Sequence, residues 1–166
     1  NGVLKGVAPE ANLISVQVCT ASGCYDDDIR AGIDWCVDNA ETYNISVISM
    51  SLGSETLYTS YCDNQDDDSN ITLGVNNAIS TTFEDKIVCH ANRNNITDLF
   101  APGALINSTW ISSTYDNKGG TSMATPHVAG AFAILQEYKK LETNTTLAPS
   151  QIQSALNSTG KQINDS

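Results

Sequence analysis

Basic residues are scarce in this 166-residue chain: eight Lys and Arg stand against nineteen Asp and Glu, a net charge of −11. A surface so acidic repels phosphate, which excludes nucleic acid and anionic lipid as partners. Long apolar runs are missing too. The longest, Val128 to Leu135, is far too short to span a bilayer. Five cysteines (Cys19, Cys24, Cys36, Cys62, Cys89) are too few for a disulfide scaffold and more than a reduced cytosolic protein usually keeps. Their odd number leaves one unpaired within the chain. None lies in Cys-x-x-Cys and there are only two His, so a structural zinc site has little support. The chain opens on Asn1 with neither an initiator Met nor a charged-then-apolar leader. The expectation is a product of processing or of an incomplete gene reading, truncated at the N-terminus.

What is present suits one folded domain, residues 1–166. Hydrophobic residues make up 40% and charged residues 16%, and the length is ample for a core without external staples. Seven Asn-x-Ser/Thr sequons, at Asn44, Asn70, Asn95, Asn107, Asn144, Asn157 and Asn164, exceed the roughly three expected by chance. With the cysteines and the scarcity of Lys they point to a secreted, extracellular glycoprotein; a salt-adapted cytosolic protein is the alternative.

Leu13 to Val18 is a short β-rich run ended by the turn-like Thr20-Ala21-Ser22-Gly23, across which Cys19 and Cys24 are placed to bridge. Asp26-Asp27-Asp28 precedes Ile29, Ile33, Cys36, Val37 and Ala40 at helical spacing, with three acids at the positive end of a helix dipole and one free to cap it. Cys36 falls on the helix's core face. Val47 to Met50 is the next strand. Strand, helix, strand is a βαβ unit with parallel strands, and ligands sit beyond the carboxyl ends of such strands, where Ser51-Leu52-Gly53 falls. Glu55 to Asn70 reads as a polar loop, Ile71 to Ile79 as a helix, Lys86 to His90 as a short strand, and Asp98 to Gly103 as a strand ended by a turn. A helix runs from about Thr121 to Tyr138 and is apolar almost all round over Val128–Leu135, hence buried. Pro149-Ser150-Gln151 starts a last amphipathic helix carrying Ile152, Ala155 and Leu156.

The chemistry lies in Gly119-Gly120-Thr121-Ser122-Met123-Ala124-Thr125-Pro126-His127-Val128-Ala129-Gly130. A small hydroxyl residue follows two glycines at the mouth of a buried helix. Glycine lets a substrate backbone approach, and the helix N-terminus offers N–H groups to a developing negative charge. This segment resembles the nucleophile motif of the subtilisin-like serine proteases, the subtilases. Leu4-Lys5-Gly6-Val7-Ala8-Pro9 with Ala11-Asn12-Leu13, Val47 to Gly53, and Leu99-Phe100-Ala101-Pro102-Gly103 resemble three further family segments, in family order.

The resemblance implies an α/β fold, a mostly parallel sheet with helices on both faces, and a serine endopeptidase acting on a peptide or protein substrate. It makes Ser122 the nucleophile, with its own N–H as one oxyanion donor beside Gly120 and Thr121. Ser51, Leu52 and Gly53 become the strand that pairs with substrate. Ser22, Gly23 and Tyr25 resemble the opposite cleft edge, a surface turn being the alternative. No redox or nucleotide cofactor is implied. Structural calcium is a family expectation without an assigned site: Asp63 to Asn70 lacks the Gly and terminal Glu of an EF-hand loop and reads as a solvated acidic loop.

Two parts of the family pattern are missing. A triad needs Asp, His and Ser, and the family's Asp and His-Gly-Thr-His motifs precede the point at which this resemblance begins, so an upstream segment of the same precursor is expected to supply them. His127 lies five residues beyond Ser122 on one helix, which turns the side chains about 140° apart and excludes it as the base. His90, in Cys89-His90-Ala91-Asn92, has no family counterpart and reads as structural or exposed. After Ser80-Thr81-Thr82-Phe83-Glu84 the family's Gly-Asn strand, whose Asn completes the oxyanion hole, is absent along with the strand expected next; losing such a donor costs about 10²–10³ in kcat, a figure measured in subtilisin itself. The rival readings are a pseudoenzyme that binds peptides in the surviving cleft and a secreted structural domain.

Overall fold

The computed structural model describes residues 4–53, 78–81, 87 and 97–163. In chain order these form β1 (Cys19–Thr20), β2 (Gly23–Cys24), α1 (Asp26–Asp38), α2 (Ala40–Tyr43), β3 (Ala78–Thr81), β4 (Leu99–Pro102), β5 (Ile106–Trp110), a 3₁₀ turn (Ile111–Ser113), β6 (Thr114–Lys118), α3 (Thr121–Thr143) and α4 (Pro149–Thr159).

The organising element is α3, five residues longer than its apolar stretch predicts, ending at Asn144 in the left-handed conformation. It packs on β3 and β4. Ala124, fully buried, meets Ala101 of β4 with Val128 alongside. The register of the parallel pair runs from Ala78 opposite Leu99 to Thr81 opposite Pro102. A parallel pair covered by a helix is the α/β architecture expected of the chain. Further along, a Cβ on Gly130 would stand 2.9 Å from that of Val7, so the N-terminal segment crosses α3 where a side chain is missing. Lys140 Nζ donates to Asn44 Oδ1 at 2.8 Å, tying α3 to the end of α2. Gln136 donates to Leu147 O and accepts from Leu147 N, folding the connection back along α3. In α4, Pro149 occupies the first turn and Gln151 accepts the Ala148 N–H; Gln153 donates to Asp98 beside β4, and Ile152 is buried.

The expected strands Leu13–Val18 and Val47–Met50 enter no ladder among the described residues. Extended segments become strands only when neighbours take up their N–H and C=O groups, and here three separate two-stranded sheets form instead. The order segment, helix, segment survives. Val16 and Val18 lie against Gly32 of α1, where a Cβ would meet Val18 Cγ1 at 2.5 Å. Asp26, Asp27 and Asp28 fill the first turn of α1 but none caps it: the N-cap is Tyr25, and no side-chain bond is made there. They act through the dipole, and Asp27 also pairs with Arg30 at 3.9 Å. Cys36 is half-buried. The helix expected over Ile71–Ile79 overlaps β3, which holds Ala78 and Ile79 in a parallel ladder. The loop Glu55–Asn70, the strand Lys86–His90 (apart from Ile87), His90, Cys62 and Cys89 lie outside the described residues.

Two hairpins complete the fold. β1 and β2 are antiparallel, with Cys19 opposite Cys24, and a disulfide joins that pair. β5 and β6 pair from Ile106–Lys118 to Trp110–Thr114 through Ser112 and Ser113, both at positive φ. Lys118 Nζ lies 4.3 Å from the centre of the Trp110 ring and 2.7 Å from Asp116 Oδ2. That hydrogen bond, with a second from the Asn117 N–H, holds the exposed Asp116 carboxyl below its ordinary value.

Candidate active site

The glycines before Ser122 set its position. Gly120 takes φ 147°, a conformation that L side chains rarely adopt, and its N–H donates to Gly103 O at 2.7 Å. Gly119 lies flat on the same turn, with its missing Cβ 3.5 Å from Gly103 O. The Ala101-Pro102-Gly103 turn is therefore the platform on which the double glycine rests. Gly120 is also the N-cap of α3. The buried Ala124 pins the helix to β4 two residues past Ser122, leaving the serine exposed at the second helical position.

At that position an N–H has no acceptor within its own helix. The Ser122 N–H is thus available to a negative charge at the positive end of a 23-residue helix. The first turn is tightened by Met123 N–H donating to Gly120 O at 3.1 Å, and Thr125 Oγ1 donates to Thr121 O.

Ser51 reaches this site. Its Oγ donates to the backbone carbonyl of Ser122 at 3.0 Å across 71 residues of sequence. Ser51 thereby lies against the Ser122 turn; Leu52 is half-buried and its neighbours are exposed. Gly120 and Thr121 adjoin Ser122 in the same turn. Ser22, Gly23 and the exposed Tyr25 form the disulfide-closed hairpin leading into α1, where Thr20 Oγ1 accepts the Ser22 N–H. Among the described residues no hydrogen bond links that hairpin to Ser51 or Ser122.

His127 donates from Nδ1 to Met123 O at 2.8 Å, one turn back on its own helix. One nitrogen of its ring is engaged with the helix backbone. Among the described residues no three His, Cys, Asp or Glu side chains converge to hold a metal; Asp63–Asn70 lies outside them. The contact that sequence reasoning missed is Ser51 to Ser122 O. The signal was there: Pro126, four residues after Ser122, leaves that carbonyl without its helical donor.

An exposed serine hydroxyl behind two glycines, on the N-terminus of a helix laid against a parallel strand pair, is an arrangement in which a serine can serve as a nucleophile. Comparison with known proteins identifies the family. The family model described as the subtilase family (peptidase S8) matches residues 1–95 and 80–166, the whole chain in two overlapping stretches. Alkaline serine exoprotease A of Vibrio alginolyticus is 34% identical over 186 residues, covering 96% of this chain and 33% of that protein. Subtilisin E of Bacillus subtilis (strain 168) is 34% identical over 192 residues, covering 99% and 48%. The extracellular serine proteinase of Thermus sp. (strain Rt41A) is 37% identical over 180, covering 93% and 42%. A crystal structure of a cold adapted subtilisin-like serine proteinase superposes with a TM-score of 0.66 at 32% identity, covering 92% of this chain and 62% of that one.

This chain belongs to the subtilase family. It spans 33% to 48% of the length of the three relatives named. The alignments with two of them run over 186 and 192 residues against 166 here, so those relatives carry residues within the aligned region that this chain lacks.

Proposed function

We propose that this chain is the central and C-terminal part of a serine endopeptidase's catalytic domain, and that Ser122 is its nucleophile. The observation that carries the reading is the exposed Ser122 at the second position of α3, seated by Gly120 on the Gly103 turn. In the proposed reaction Ser122 Oγ attacks the scissile carbonyl while its proton passes to a histidine outside this chain. The oxyanion accepts the Ser122 N–H, and the leaving amine takes the proton back. Water then repeats the sequence to free the acid and restore Ser122. Ser51-Leu52-Gly53 pairs with the substrate backbone on one side. Ser22, Gly23 and Tyr25 border the other, Gly23 at φ 136° forming the turn that exposes Tyr25. The family's Asp and His come from an upstream segment of the same precursor.

The chain is read as secreted, in keeping with the extracellular and exoprotease names of its relatives. Four of its sequon asparagines, Asn44, Asn107, Asn144 and Asn157, are exposed and open to glycosylation.

A second reading rests on a specific feature: the sequence has no Gly-Asn between Thr82 and Lys86. In that reading the fragment is a pseudoenzyme that holds peptides along Ser51–Gly53 without cleaving them. Joining an Asp- and His-bearing family segment upstream and assaying a fluorogenic peptide separates the two. Turnover that Ser122→Ala abolishes supports the enzyme, whereas peptide binding without turnover supports the pseudoenzyme.

A further inference from the structure

Pro126 stands inside α3, at its sixth residue. An α-helix closes each carbonyl on the N–H four residues on, and for Ser122 that residue is Pro126, which has no N–H. The proline ring also crowds the carbonyl four residues back and tilts it out of the ladder. The nucleophile residue itself therefore has its carbonyl orphaned by the motif that contains it. At this carbonyl the structure places Ser51 Oγ, at 3.0 Å.

The peptide unit between Ser122 and Met123 is consequently held at both ends. Its N–H, belonging to Met123, donates to Gly120 O at 3.1 Å, and its C=O accepts from Ser51. Fixing that plane fixes ψ of Ser122, and with it the direction from which the hydroxyl leaves the turn. The donor comes from the segment assigned to substrate pairing, so the two are mechanically joined: Ser51–Gly53 cannot shift without pulling on the Ser122 carbonyl.

We infer that Ser51 is a positioning residue whose hydroxyl replaces the N–H missing at Pro126 and sets the backbone of Ser122. Its importance for reactivity rests on the proposed role of Ser122; the hydrogen bond itself does not.

The test is a double-mutant cycle, because Pro126→Ala returns an N–H to the same carbonyl. Amide exchange of Met123 is followed in the 166-residue chain. Ser51→Ala should speed it about fivefold, the factor that an ordinary hydrogen bond of about 1 kcal/mol supplies. Ser51→Thr, which keeps the hydroxyl, should leave it near the parent rate. In the Pro126→Ala background Ser51→Ala should have almost no effect. No change on Ser51→Ala, or an equal change in both backgrounds, overturns the inference. A side chain that merely fills space would show no such dependence on residue 126.

Labelling by a fluorophosphonate in the upstream-extended chain supplies the reactive readout: slowed by Ser51→Ala, restored by Ser51→Thr. An extended parent chain that takes no label at Ser122 counts against the protease reading alone, and the exchange cycle still decides the hydrogen bond. Label at Ser122 that Ser51→Ala does not slow overturns the positioning role.

Discussion

The chain should unfold with too little surface to lose. A folded monomer of 17.7 kDa exposes about 7,900 Å² and its unfolded chain about 25,700 Å², whereas this chain exposes 12424 Å² while folded. It therefore buries about half of its unfolded surface, where a complete domain of this length buries about 70%. Even a 60-residue domain buries about 60%. The residues responsible are visible: Leu13 is 93% exposed, Leu141 78%, Ile111 72% and Leu105 65%, while the buried apolar side chains among the described residues are only Ile29, Ala101, Ala124 and Ile152. Because the urea m-value scales with the area exposed on unfolding, it should be about three-quarters of that of a complete 166-residue domain. The melt should be broad, and a hydrophobic dye should bind before unfolding begins. Urea titration followed by far-UV circular dichroism, with dye fluorescence at zero urea, measures both. A single sharp transition with a full-sized m-value and no dye binding would refute the reasoning and make the short domain self-sufficient.

Three further outcomes follow from the same contacts. The 166 residues alone should not hydrolyse a fluorogenic peptide, since the sequence holds no family His-Gly-Thr-His motif to supply a base; in subtilisin, triad-less catalysis retains only about 10³–10⁴ over water, and with an intact oxyanion hole. Turnover abolished by Ser122→Ala would show that a base has been missed. Gly32→Ala should gain about 1 kcal/mol of helix propensity and lose about 1–3 to the clash with Val18, destabilising the region of α1 by up to about 2 kcal/mol. In a Val18→Ala background the clash is gone and the same change should stabilise; equal effects in both backgrounds, by amide exchange in α1, would contradict the packing. Asp116 has its carboxyl held below the ordinary value of 3.8 by Lys118 and Asn117, so its contribution to the β5–β6 hairpin is complete above that value and is lost as the pH falls through the lower folded one. Trp110 fluorescence should change in that acid range, and Asp116→Asn should remove the transition.

The helices were legible because their signals are local. The Asp run before Ile29, the apolar stretch after Ser122 and the Pro149 start each mark an element within a few residues of its boundary. Of the strands, Asp98–Gly103 was legible and forms β4, but Leu13–Val18 and Val47–Met50 have the composition of strands and no ladder among the described residues, because a ladder depends on a partner elsewhere in the chain. The β5–β6 hairpin escaped notice for the opposite reason. Ile106 to Lys118 is polar, and its turn sets Ser112 and Ser113 at positive φ without the Asn or Gly that normally announces such a turn. At the candidate site the sequence motif located Ser122 and Ser51–Gly53 separately. Their hydrogen bond was beyond it, because Pro126 reveals an unpaired carbonyl but not which side chain arrives there.

The central claim, that Ser122 is the nucleophile of a subtilase catalytic domain completed by upstream sequence, is tested most directly by fluorophosphonate labelling with mass mapping of the modified peptide. The chain is joined to a family segment carrying the Asp and His, with and without a family strand ending in Gly-Asn inserted after Thr82. The account predicts label on Ser122 in both, slow without the inserted strand, and peptide turnover about 10²–10³ higher with it. Label on another serine, or none in either form, would contradict it.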